Sequence, residues 1–307
     1  MELISVLPGA ELSPGGADPE IRRVVADSRR VGPGDLFVAI RGEKSDGLAF
    51  VPDALSRGAA AVLAQAPAPE AVPVPWVRVE NARKALGRAA TRLAGNPAEK
   101  LHLAGVTGTN GKTTTALLLQ SLLRVRYGEA GFVGTVGYRI GRRELPAERT
   151  TPDAALLQEL LAEMVRAGIP AASMEVSSHA LALDRVEGCR FDLAVFTNLT
   201  RDHLDFHRDM ESYYGAKRSL FELRKPDGAA VVNVGEDYGR RLAGEIGGRV
   251  WTYCAGEGGA DLTALSARCD LSGPSFEAVS PVGRFRVSSR LLGRFNVDNL
   301  LAAAAGG

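Results

Sequence analysis

A glycine-rich segment carries the residues of this chain that are best suited to chemistry. It reads Gly105-Val-Thr-Gly-Thr-Asn-Gly-Lys-Thr-Thr-Thr115. Glycines let backbone N–H groups approach phosphate oxygens, and the helix that follows adds the positive end of its dipole. Lys112 can reach the β- and γ-phosphates of a nucleotide, and the Thr113 hydroxyl can ligate magnesium. The segment therefore predicts a site for ATP and Mg²⁺.

The spacing within this segment departs by one residue from the usual phosphate-loop pattern. Five residues separate Gly105 from Gly111, whereas the usual pattern has four. A glycine-rich turn before a helix is the simpler alternative. However, the strand, the glycines, the Gly-Lys-Thr end and the helix coincide in the order that a phosphate loop requires. A dinucleotide site is not indicated, because no Gly-x-Gly-x-x-Gly follows the strand.

Three further side chains could serve the same chemistry. Glu175 lies at the carboxyl end of the predicted strand Ala171–Val176, where open α/β sheets place their ligands. Its carboxylate is a candidate ligand for nucleotide-bound magnesium, and a solvated loop glutamate is the alternative. His203 stands in a predicted loop, where its ring could ligate a metal or cap the loop. Lys217, taken by itself, predicts only a lysine on a helix surface.

Two other patterns suggest different chemistry but lack the surroundings that it needs. His203 and His207 are spaced i, i+4 as in a zinc helix, yet the His-Glu-x-x-His pattern is absent. We therefore assign His207 to structure. Ser177 and Ser178 precede His179, but no Gly-x-Ser-x-Gly elbow surrounds them, so a serine hydrolase is not predicted.

The chain divides into two predicted domains, residues 1–97 and residues 98–307. The first contains short apolar segments that are separated by glycine and proline turns. A helix near Lys84–Ala94 stops at Gly95-Asn96-Pro97, and this stop signal marks the predicted boundary. We expect the first domain to be a small α/β domain.

Strand and helix patterns alternate along the second predicted domain. The predicted strands are Leu101–Val106, Ala171–Val176, Leu193–Phe196 and Ala229–Val234, and the predicted helices are Thr113–Arg124, 153–167, Met210–Leu223 and Asn296–Ala305. This alternation predicts an α/β fold with a mostly parallel sheet and helices on both faces. Residues 262–290 predict short antiparallel strands.

Composition argues against several classes of function. The formal net charge is +1 and charged residues of both signs are mixed, so no broad patch favours nucleic acid or a membrane surface. The three cysteines include no Cys-x-x-Cys spacing, which indicates neither a disulfide framework nor a zinc site. The first residues lack the features of a signal peptide, and no apolar run approaches the ~18 residues that span a bilayer. We therefore expect a cytoplasmic protein.

Motifs along nearly the whole chain resemble those of the Mur ligase family. They are Asp27-Ser28-Arg29, Pro33–Ala39, Gly108–Thr114, Thr150–Asp153, Met174–Leu181, Asn198–His207, Ala216-Lys217 and Asn296–Asn299. Within the family, the block from Glu175 to His179 and the following Asp202-His203 resemble the branch that extends a UDP-N-acetylmuramoyl-dipeptide. The phosphate loop with its extra residue is the form that this family uses.

The resemblance implies a domain plan and a set of ATP and magnesium residues. Residues 1–97 would bind the UDP-muramoyl acceptor and residues 98–307 would bind ATP, while the family's C-terminal Rossmann-like domain is absent. The residues implied in ATP binding are Gly108, Thr109, Asn110, Gly111, Lys112, Thr113, Thr114, Asn296 and Asn299. Lys112, Glu175, His203 and Lys217 are implied in catalysis, and Thr113, Glu175, His203 and Lys217 in magnesium binding. In the family the lysine matching Lys217 is carbamylated and so becomes an anion.

The asparagines implied in ATP binding have another interpretation. An amide can recognise adenine through its paired donor and acceptor groups. Asn is equally suited to cap the start of a helix, which is where Asn296 and Asn299 fall. Both interpretations stay open at the level of sequence.

The resemblance also implies acceptor contacts. Ser28 matches a residue near the uracil nucleotide, although Asp27-Ser28 is also good turn chemistry on its own. A second contact loop matches Gly42–Gly47, with Leu48 where the family often has histidine. Thr150, Thr151, Ser177 and Arg185 match residues that bind the muramoyl-dipeptide. Arg185 suits a carboxylate or diphosphate because its guanidinium donates two parallel hydrogen bonds.

The reaction implied by the resemblance joins an amino acid to UDP-N-acetylmuramoyl-L-alanyl-D-glutamate in peptidoglycan precursor synthesis. A carboxylate of the acceptor would attack the γ-phosphate of ATP, and an amine would displace phosphate from the acyl phosphate. The amino acid could be diaminopimelate, lysine or ornithine, and we expect a monomer. Two alternatives remain: a nucleotide-binding module without turnover, and a folylpolyglutamate-type ligase, which shares the phosphate loop.

Overall fold

The computed structural model describes residues 1–8, 11–12, 18–42, 45–256 and 259–307. Contacts divide the chain into two compact units. The first comprises Met1–Pro97, Asp153–Ala162 and Leu183–Gly188, and the second comprises Ala98–Pro152, Glu163–Ala182 and Cys189–Gly307.

The first unit is built on a five-stranded sheet. Its elements are α1 (Leu3–Val6), β1 (Glu11–Leu12), β2 (Arg23–Val25), β3 (Asp35–Ala39), α2 (Val51–Ser56), β4 (Ala61–Ala64), β5 (Trp76–Arg78) and α3 (Ala82–Leu93), with short 3₁₀ helices at Ser28–Arg30, Gly47–Phe50 and, at the boundary between the units, Pro97–Glu99. The strand order is β1-β5-β4-β3-β2, in which β2 to β5 run parallel and β1 runs antiparallel to β5. The carboxyl ends of β2 to β5 therefore share one edge of the sheet, and Ser28 follows β2 at that edge.

Alternating side chains of β3 cover both faces of this sheet. Leu36 and Val38 pack in one buried cluster with residues of α1 and α3. Phe37 and Ala39 pack in a second cluster with residues of α2. Successive side chains on a strand point to opposite faces, so an uninterrupted apolar strand requires cover on both sides.

Helix α3 confirms the predicted stop signal, and its start is capped by a residue that the sequence analysis did not single out. The Asn81 side chain accepts a hydrogen bond from the Lys84 backbone N–H at 3.0 Å and so caps the first turn. Gly95 follows the last turn with φ 77°, a left-handed value that glycine adopts without strain.

The second unit is built on an eleven-stranded mixed sheet. Its elements are β6 (His102–Thr107), α4 (Lys112–Tyr127), β7 (Ala130–Gly134), β8 (Gly137–Ile140), β9 (Arg143–Leu145), α5 (Ala154–Arg166, which begins in the first unit), β10 (Ala171–Glu175), α6 (Ser178–Ala182), β11 (Phe191–Phe196), α7 (Leu204–His207), α8 (Met210–Arg218), β12 (Arg224–Asn233), α9 (Asp237–Glu245), β13 (Arg249–Cys254), β14 (Leu262–Asp270), β15 (Gly273–Ser280), β16 (Gly283–Ser288) and α10 (Asn296–Gly306). The strand order is β16-β15-β14-β13-β12-β11-β6-β10-β7-β8-β9.

The pairing in this sheet confirms the predicted α/β class and adds detail at its edges. The run from β14 through β13, β12, β11, β6 and β10 to β7 is parallel throughout. Antiparallel pairs extend it at both ends, through β15 and β16 on one side and β8 and β9 on the other. The first of these extensions was predicted, whereas the β8–β9 hairpin was not.

The core of the second unit brings α4 and α10 together. Ala116 and Leu119 of α4 lie in the same buried cluster as Val297 and Leu301 of α10 and the apolar side chains of the central strands. Because α4 follows the carboxyl end of β6 directly, this packing places the start of α10 beside the glycine-rich loop.

The predicted elements of the second unit differ from the observed ones mainly in their ends. The predicted helix Met210–Leu223 is α8 followed by a 3₁₀ turn at Ser219–Leu223. The strand predicted at Ala229–Val234 begins earlier, because β12 also includes residues from Arg224 onward. Throughout the described residues, no helix combines the length and apolar character needed to cross a bilayer.

Candidate active site

The glycine-rich loop joins β6 to α4, as the sequence predicts, and two of its glycines have no room for a side chain. Gly108 has φ 150°, and a Cβ there would lie 1.8 Å from Thr197 Oγ1. Gly111 has φ 83° directly before α4, and a Cβ there would lie 2.3 Å from Asn299 Oδ1. The backbone therefore approaches its neighbours as closely as glycine alone permits.

Lys112 folds back over this loop. Its Nζ donates hydrogen bonds to the Gly108 and Thr109 carbonyl oxygens at 2.9 and 2.8 Å. Burial lowers the pKa of Lys112, while the carboxylates of Glu175 and Asp202 act in the opposite direction. The ammonium is thus fixed at the loop, in the place from which a phosphate-loop lysine reaches nucleotide phosphates.

The segment after β11 holds the loop from one side. The Asn198 side chain accepts from the Asn110 backbone N–H at 2.9 Å, and the Thr197 hydroxyl donates to the Asn110 carbonyl at 2.6 Å. The Thr109 N–H donates to the Asn198 carbonyl at 2.9 Å. These contacts hold the loop against the segment that follows β11.

Glu175 is the last residue of β10, which pairs in parallel with β6. Its position is therefore at the edge of the sheet where the glycine-rich loop leaves β6. The residue is only 1% exposed. Its carboxylate accepts hydrogen bonds from the Thr113 hydroxyl at 2.8 Å, the Thr135 N–H at 2.8 Å and the Thr135 hydroxyl at 3.3 Å. A buried carboxylate needs such donors, and they hold its oxygens beside the loop.

The oxygens of Thr113 and Glu175 suit a magnesium ion. Mg²⁺ prefers hard oxygen ligands and usually keeps several waters, binding through one or two protein groups and the substrate phosphates. No three His, Cys, Asp or Glu side chains form a metal-binding group among the described residues. The residues therefore fit a nucleotide-bound magnesium better than an ion held by protein carboxylates alone.

Lys217 lies in α8 but is not on the surface. It is 1% exposed, its Nζ donates to the Gly108 carbonyl at 2.7 Å, and the Tyr213 ring centre is 4.5 Å from the Nζ. Burial, together with the positive charge of Lys112, lowers the pKa of Lys217 to about 6. The surface position that the helix pattern indicates is wrong, because this face of α8 packs against the loop.

His203 lies near the rings of His179 and Tyr213, in a left-handed backbone conformation. Its φ is 51°, and its N–H donates to Asp202 Oδ1 at 2.8 Å. The ring is edge-on to His179 at 4.9 Å and lies 6.2 Å from the Tyr213 ring, while the side chain is 47% exposed. The imidazole can therefore meet a ligand that enters from solvent.

His207 has the buried position that a structural role requires. Its ring stacks at a tilt on Tyr213 at 4.9 Å, and burial lowers its pKa to about 4, so the ring is neutral near pH 7. Within the described part of the chain, its Nε2 atom has no hydrogen-bond partner.

Three of the residues assigned to the acceptor gather at the carboxyl end of β10. The Thr151 hydroxyl donates to the Glu175 carbonyl at 2.9 Å and accepts from the Ser177 N–H at 3.1 Å. The Thr150 and Thr135 hydroxyls are 3.0 Å apart. Thr151 and Ser177 are thus connected to the Glu175 main chain, and Thr150 is connected to the Glu175 carboxylate through Thr135.

The other two acceptor residues belong to the first unit. Ser28 is buried and opens a 3₁₀ turn that Asp27 caps by accepting the Arg29 N–H at 3.0 Å. Arg185 lies half-buried in the segment Leu183–Gly188. Residues 43–44 of the second predicted contact loop lie outside the described residues.

Asn296 and Asn299 begin α10, but neither caps it, because the residue in the cap position is Phe295. Asn299 Nδ2 donates to Asn296 Oδ1 at 2.9 Å, and Asn296 Nδ2 donates to the Leu292 carbonyl at 2.8 Å. The Thr115 hydroxyl donates to Asn299 Oδ1 at 3.4 Å. The two amides therefore connect α10 to the phosphate loop, and their contact with adenine stays a prediction.

The sequence analysis did not identify two residues of the site, Thr135 and Tyr213. Thr135 supplies two of the hydrogen bonds to Glu175, and it follows β7 at the same edge of the parallel sheet. The rule that ligands gather at carboxyl ends of strands could have found it. Tyr213 contacts Thr109 and Lys217 from α8, and its pattern alone gives no signal beyond an aromatic residue in a helix core.

A glycine-rich loop between a parallel strand and a helix, with its lysine and a buried carboxylate from the adjacent strand, defines a phosphate-loop α/β protein. Residues 106–307 match the family described as Mur ligase middle domain, and residues 20–93 match the one described as Mur ligase family, catalytic domain. The chain belongs to the Mur ligase family.

Curated relatives and solved structures give the same family. The chain is 46% identical over 299 residues to UDP-N-acetylmuramoyl-L-alanyl-D-glutamate–2,6-diaminopimelate ligase of Solibacter usitatus, covering 96% of this chain and 60% of the relative. It is 44% identical over 303 residues to UDP-N-acetylmuramyl-tripeptide synthetase of Deinococcus radiodurans, covering 97% and 61%. A solved UDP-N-acetylmuramoyl-L-alanyl-D-glutamate–2,6-diaminopimelate ligase is similar with a TM-score of 0.85 at 31% identity, covering 99% of this chain and 62% of that one. The chain thus spans about three fifths of the length of these relatives.

Proposed function

We propose that the second unit binds ATP with magnesium at the phosphate loop. The observation that carries this proposal is the contact of the Thr113 hydroxyl with the buried Glu175 carboxylate at 2.8 Å, beside Lys112. Lys112 would contact the β- and γ-phosphates, and Thr113 and Glu175 would hold the magnesium ion. The proposed nucleotide contacts are Gly108, Thr109, Asn110, Gly111, Lys112, Thr113, Thr114, Asn296 and Asn299. Magnesium bound there supplies positive charge that offsets the charge of the triphosphate.

Lys217 is the proposed site of a carbamate. A neutral amine has the lone pair that attacks the carbon of CO₂; a N–C bond forms, the nitrogen loses a proton, and the product is an anion. The pKa of about 6 leaves most Lys217 side chains neutral near pH 7. With His203, the resulting carboxylate would hold a second magnesium. Unmodified lysine is a poor ligand in either protonation state, because its ammonium form has no lone pair and its amine form offers nitrogen, whereas Mg²⁺ prefers oxygen.

The proposed acceptor is UDP-N-acetylmuramoyl-L-alanyl-D-glutamate, which the relatives' names support. Thr150, Thr151 and Ser177 would contact its muramoyl-dipeptide part, since they gather beside Glu175. Ser28 and Arg185 are proposed to contact the uracil nucleotide and an acidic group of the acceptor.

The proposed reaction forms an amide bond in two steps. A carboxylate oxygen of the D-glutamate attacks the γ-phosphorus, ADP leaves, and an acyl phosphate forms. The amine of the incoming amino acid then attacks the acyl carbon, phosphate leaves, and the nitrogen loses a proton. The protein's own contribution is to hold the phosphates and the carboxylate in line and to offset their charge.

The incoming amino acid is proposed to be diaminopimelate, after the name of the Solibacter usitatus relative. Phosphate release should be measured with ATP, the UDP-muramoyl-dipeptide and each of diaminopimelate, lysine and ornithine. Release that needs both acceptor and amino acid supports the ligase. ATP binding without release in any mixture would instead favour the nucleotide-binding module, and release with a folate acceptor would favour the folylpolyglutamate-type ligase.

We further propose that the protein acts as a monomer in the cytoplasm. The three cysteines, all within the described residues, form no disulfide, and two are buried and one exposed, which fits a reducing compartment. Sedimentation analysis tests the monomer, and a dimer at micromolar concentration would contradict it.

A further inference from the structure

Tyr213 lies in α8 and reaches the phosphate loop with its hydroxyl. The residue is completely buried, and its OH is 3.1 Å from Thr109 Oγ1. Its ring contacts His207 at 4.9 Å and lies 4.5 Å from Lys217 Nζ. One side chain therefore touches both the loop and the proposed carbamate lysine.

Thr109 is the loop residue through which this contact could act. Its Oγ1 accepts from the Thr200 N–H at 3.1 Å and lies 3.3 Å from the Thr200 carbonyl. Its own carbonyl accepts from Lys112 Nζ at 2.8 Å. The hydrogen bonds of Thr109 thus connect α8 and the segment after β11 to the lysine that contacts phosphate.

We propose that Tyr213 is a positioning residue for the nucleotide site. Its hydroxyl fixes Thr109, and the Thr109 carbonyl in turn fixes the direction of Lys112. A loop held in its binding geometry loses less conformational freedom on binding, so the hydroxyl strengthens nucleotide binding without touching the nucleotide. This inference rests on the proposed nucleotide site.

The chain offers a matched control for this proposal in the adjacent residue of the same helix. The Tyr214 hydroxyl donates to Glu245 Oε2 at 2.7 Å, on the side of α8 that contacts α9. Tyr213→Phe and Tyr214→Phe each remove one hydroxyl and one hydrogen bond. Only the first removes a contact with the phosphate loop.

The test measures the dissociation constant of ATP with Mg²⁺ for the whole chain by calorimetry, alongside the melting temperature. Since a neutral hydrogen bond contributes modestly, Tyr213→Phe should weaken ATP binding about three- to tenfold. Tyr214→Phe should lower the melting temperature comparably and leave the ATP dissociation constant within about twofold. Equal ATP affinities for the two variants would overturn the proposal.

A double-mutant cycle identifies the route of the effect. If Tyr213 acts through Thr109, adding Tyr213→Phe to Thr109→Val should cause no further loss of affinity, whereas independent effects would multiply. Multiplied losses would overturn the proposed route. Wild-type protein that fails to bind ATP would refute the nucleotide site itself, a result distinct from equal affinities of the two Tyr→Phe variants.

Discussion

The Thr113 hydroxyl donates a hydrogen bond to Glu175 Oε2 at 2.8 Å, joining the first turn of α4 to the end of β10. The two residues are distant in sequence and meet because β10 pairs in parallel with β6, which places both carboxyl ends at one edge. Glu175 is also held by two donors from Thr135. The oxygens proposed for magnesium are therefore fixed by the sheet itself.

Replacing Thr113 with valine removes the hydroxyl group while keeping the shape of the side chain. Thr113→Val removes a hydrogen bond to a charged acceptor, worth about 1.5–3 kcal/mol, and a proposed magnesium ligand. We expect the affinity for ATP with Mg²⁺ to fall by about tenfold or more. Thr113→Ser keeps the hydroxyl and should retain most of the affinity.

Calorimetric titration of ATP checks this prediction. Thr91→Val is the control, because the buried Thr91 hydroxyl donates to the Gly87 carbonyl within α3, in the first unit. Wild-type affinity in Thr113→Val would show that the hydroxyl plays no part in binding.

Two glycines at the ends of α4 allow strain and collision to be compared. Gly111 and Gly128 have φ values of 83° and 86°, so alanine at either position costs about 1–2 kcal/mol of backbone strain. A Cβ at Gly111 would also lie 2.3 Å from Asn299 Oδ1, whereas nothing lies within 4 Å of one at Gly128. Gly111→Ala should therefore lower the free energy of unfolding more than Gly128→Ala does, and should weaken ATP binding as well. Denaturant titrations measure the first effect, and equal losses would contradict the predicted collision.

Lys217→Ala should abolish most ligase turnover, because it removes the proposed carbamate. A short-chain carboxylic acid such as acetate should restore part of the turnover by supplying the missing carboxylate. Lys100→Ala, at an exposed lysine, should behave as wild type. Labelled CO₂ should also give a carbamate carbon signal by NMR in wild type and not in Lys217→Ala. Undiminished turnover in the alanine variant would refute the role of Lys217.

Arg185→Lys tests the acceptor side. Lysine keeps the charge but loses the paired donors of the guanidinium, so the KM for the UDP-muramoyl-dipeptide should rise by about tenfold while the affinity for ATP stays the same. Arg190→Lys, at an exposed arginine nearby in sequence, serves as the control. A changed ATP affinity with an unchanged acceptor KM would assign Arg185 to the other substrate.

Local patterns in the sequence predict much of this fold and part of the site. The phosphate loop could be predicted because its glycines, lysine and flanking elements are contiguous. The position of Glu175 beside the loop could be predicted because it ends an apolar strand, and parallel strands share their carboxyl edge. The α3 cap at Asn81 depends on neighbouring residues alone, and its helix was predicted to within two residues at each end.

Features that depend on distant contacts could not be predicted in the same way. Lys217 is buried because its Nζ meets the carbonyl of Gly108, and no periodicity within α8 shows that contact. The same applies to Tyr213, whose partner Thr109 belongs to another element. The cap interpretation of Asn296 is wrong because Asn296 is already the first residue of α10, and Phe295 takes the cap position before it.

The magnesium dependence of ATP binding tests the central claim most directly. ATP should be titrated into wild type and Glu175→Gln, each with Mg²⁺ and with a chelator. Wild type should bind ATP at least about tenfold more tightly with Mg²⁺, and Glu175→Gln, which keeps the shape but loses the charge, should lose most of that gain. Equal affinity with and without Mg²⁺ in wild type, or an undiminished gain in Glu175→Gln, would contradict the account.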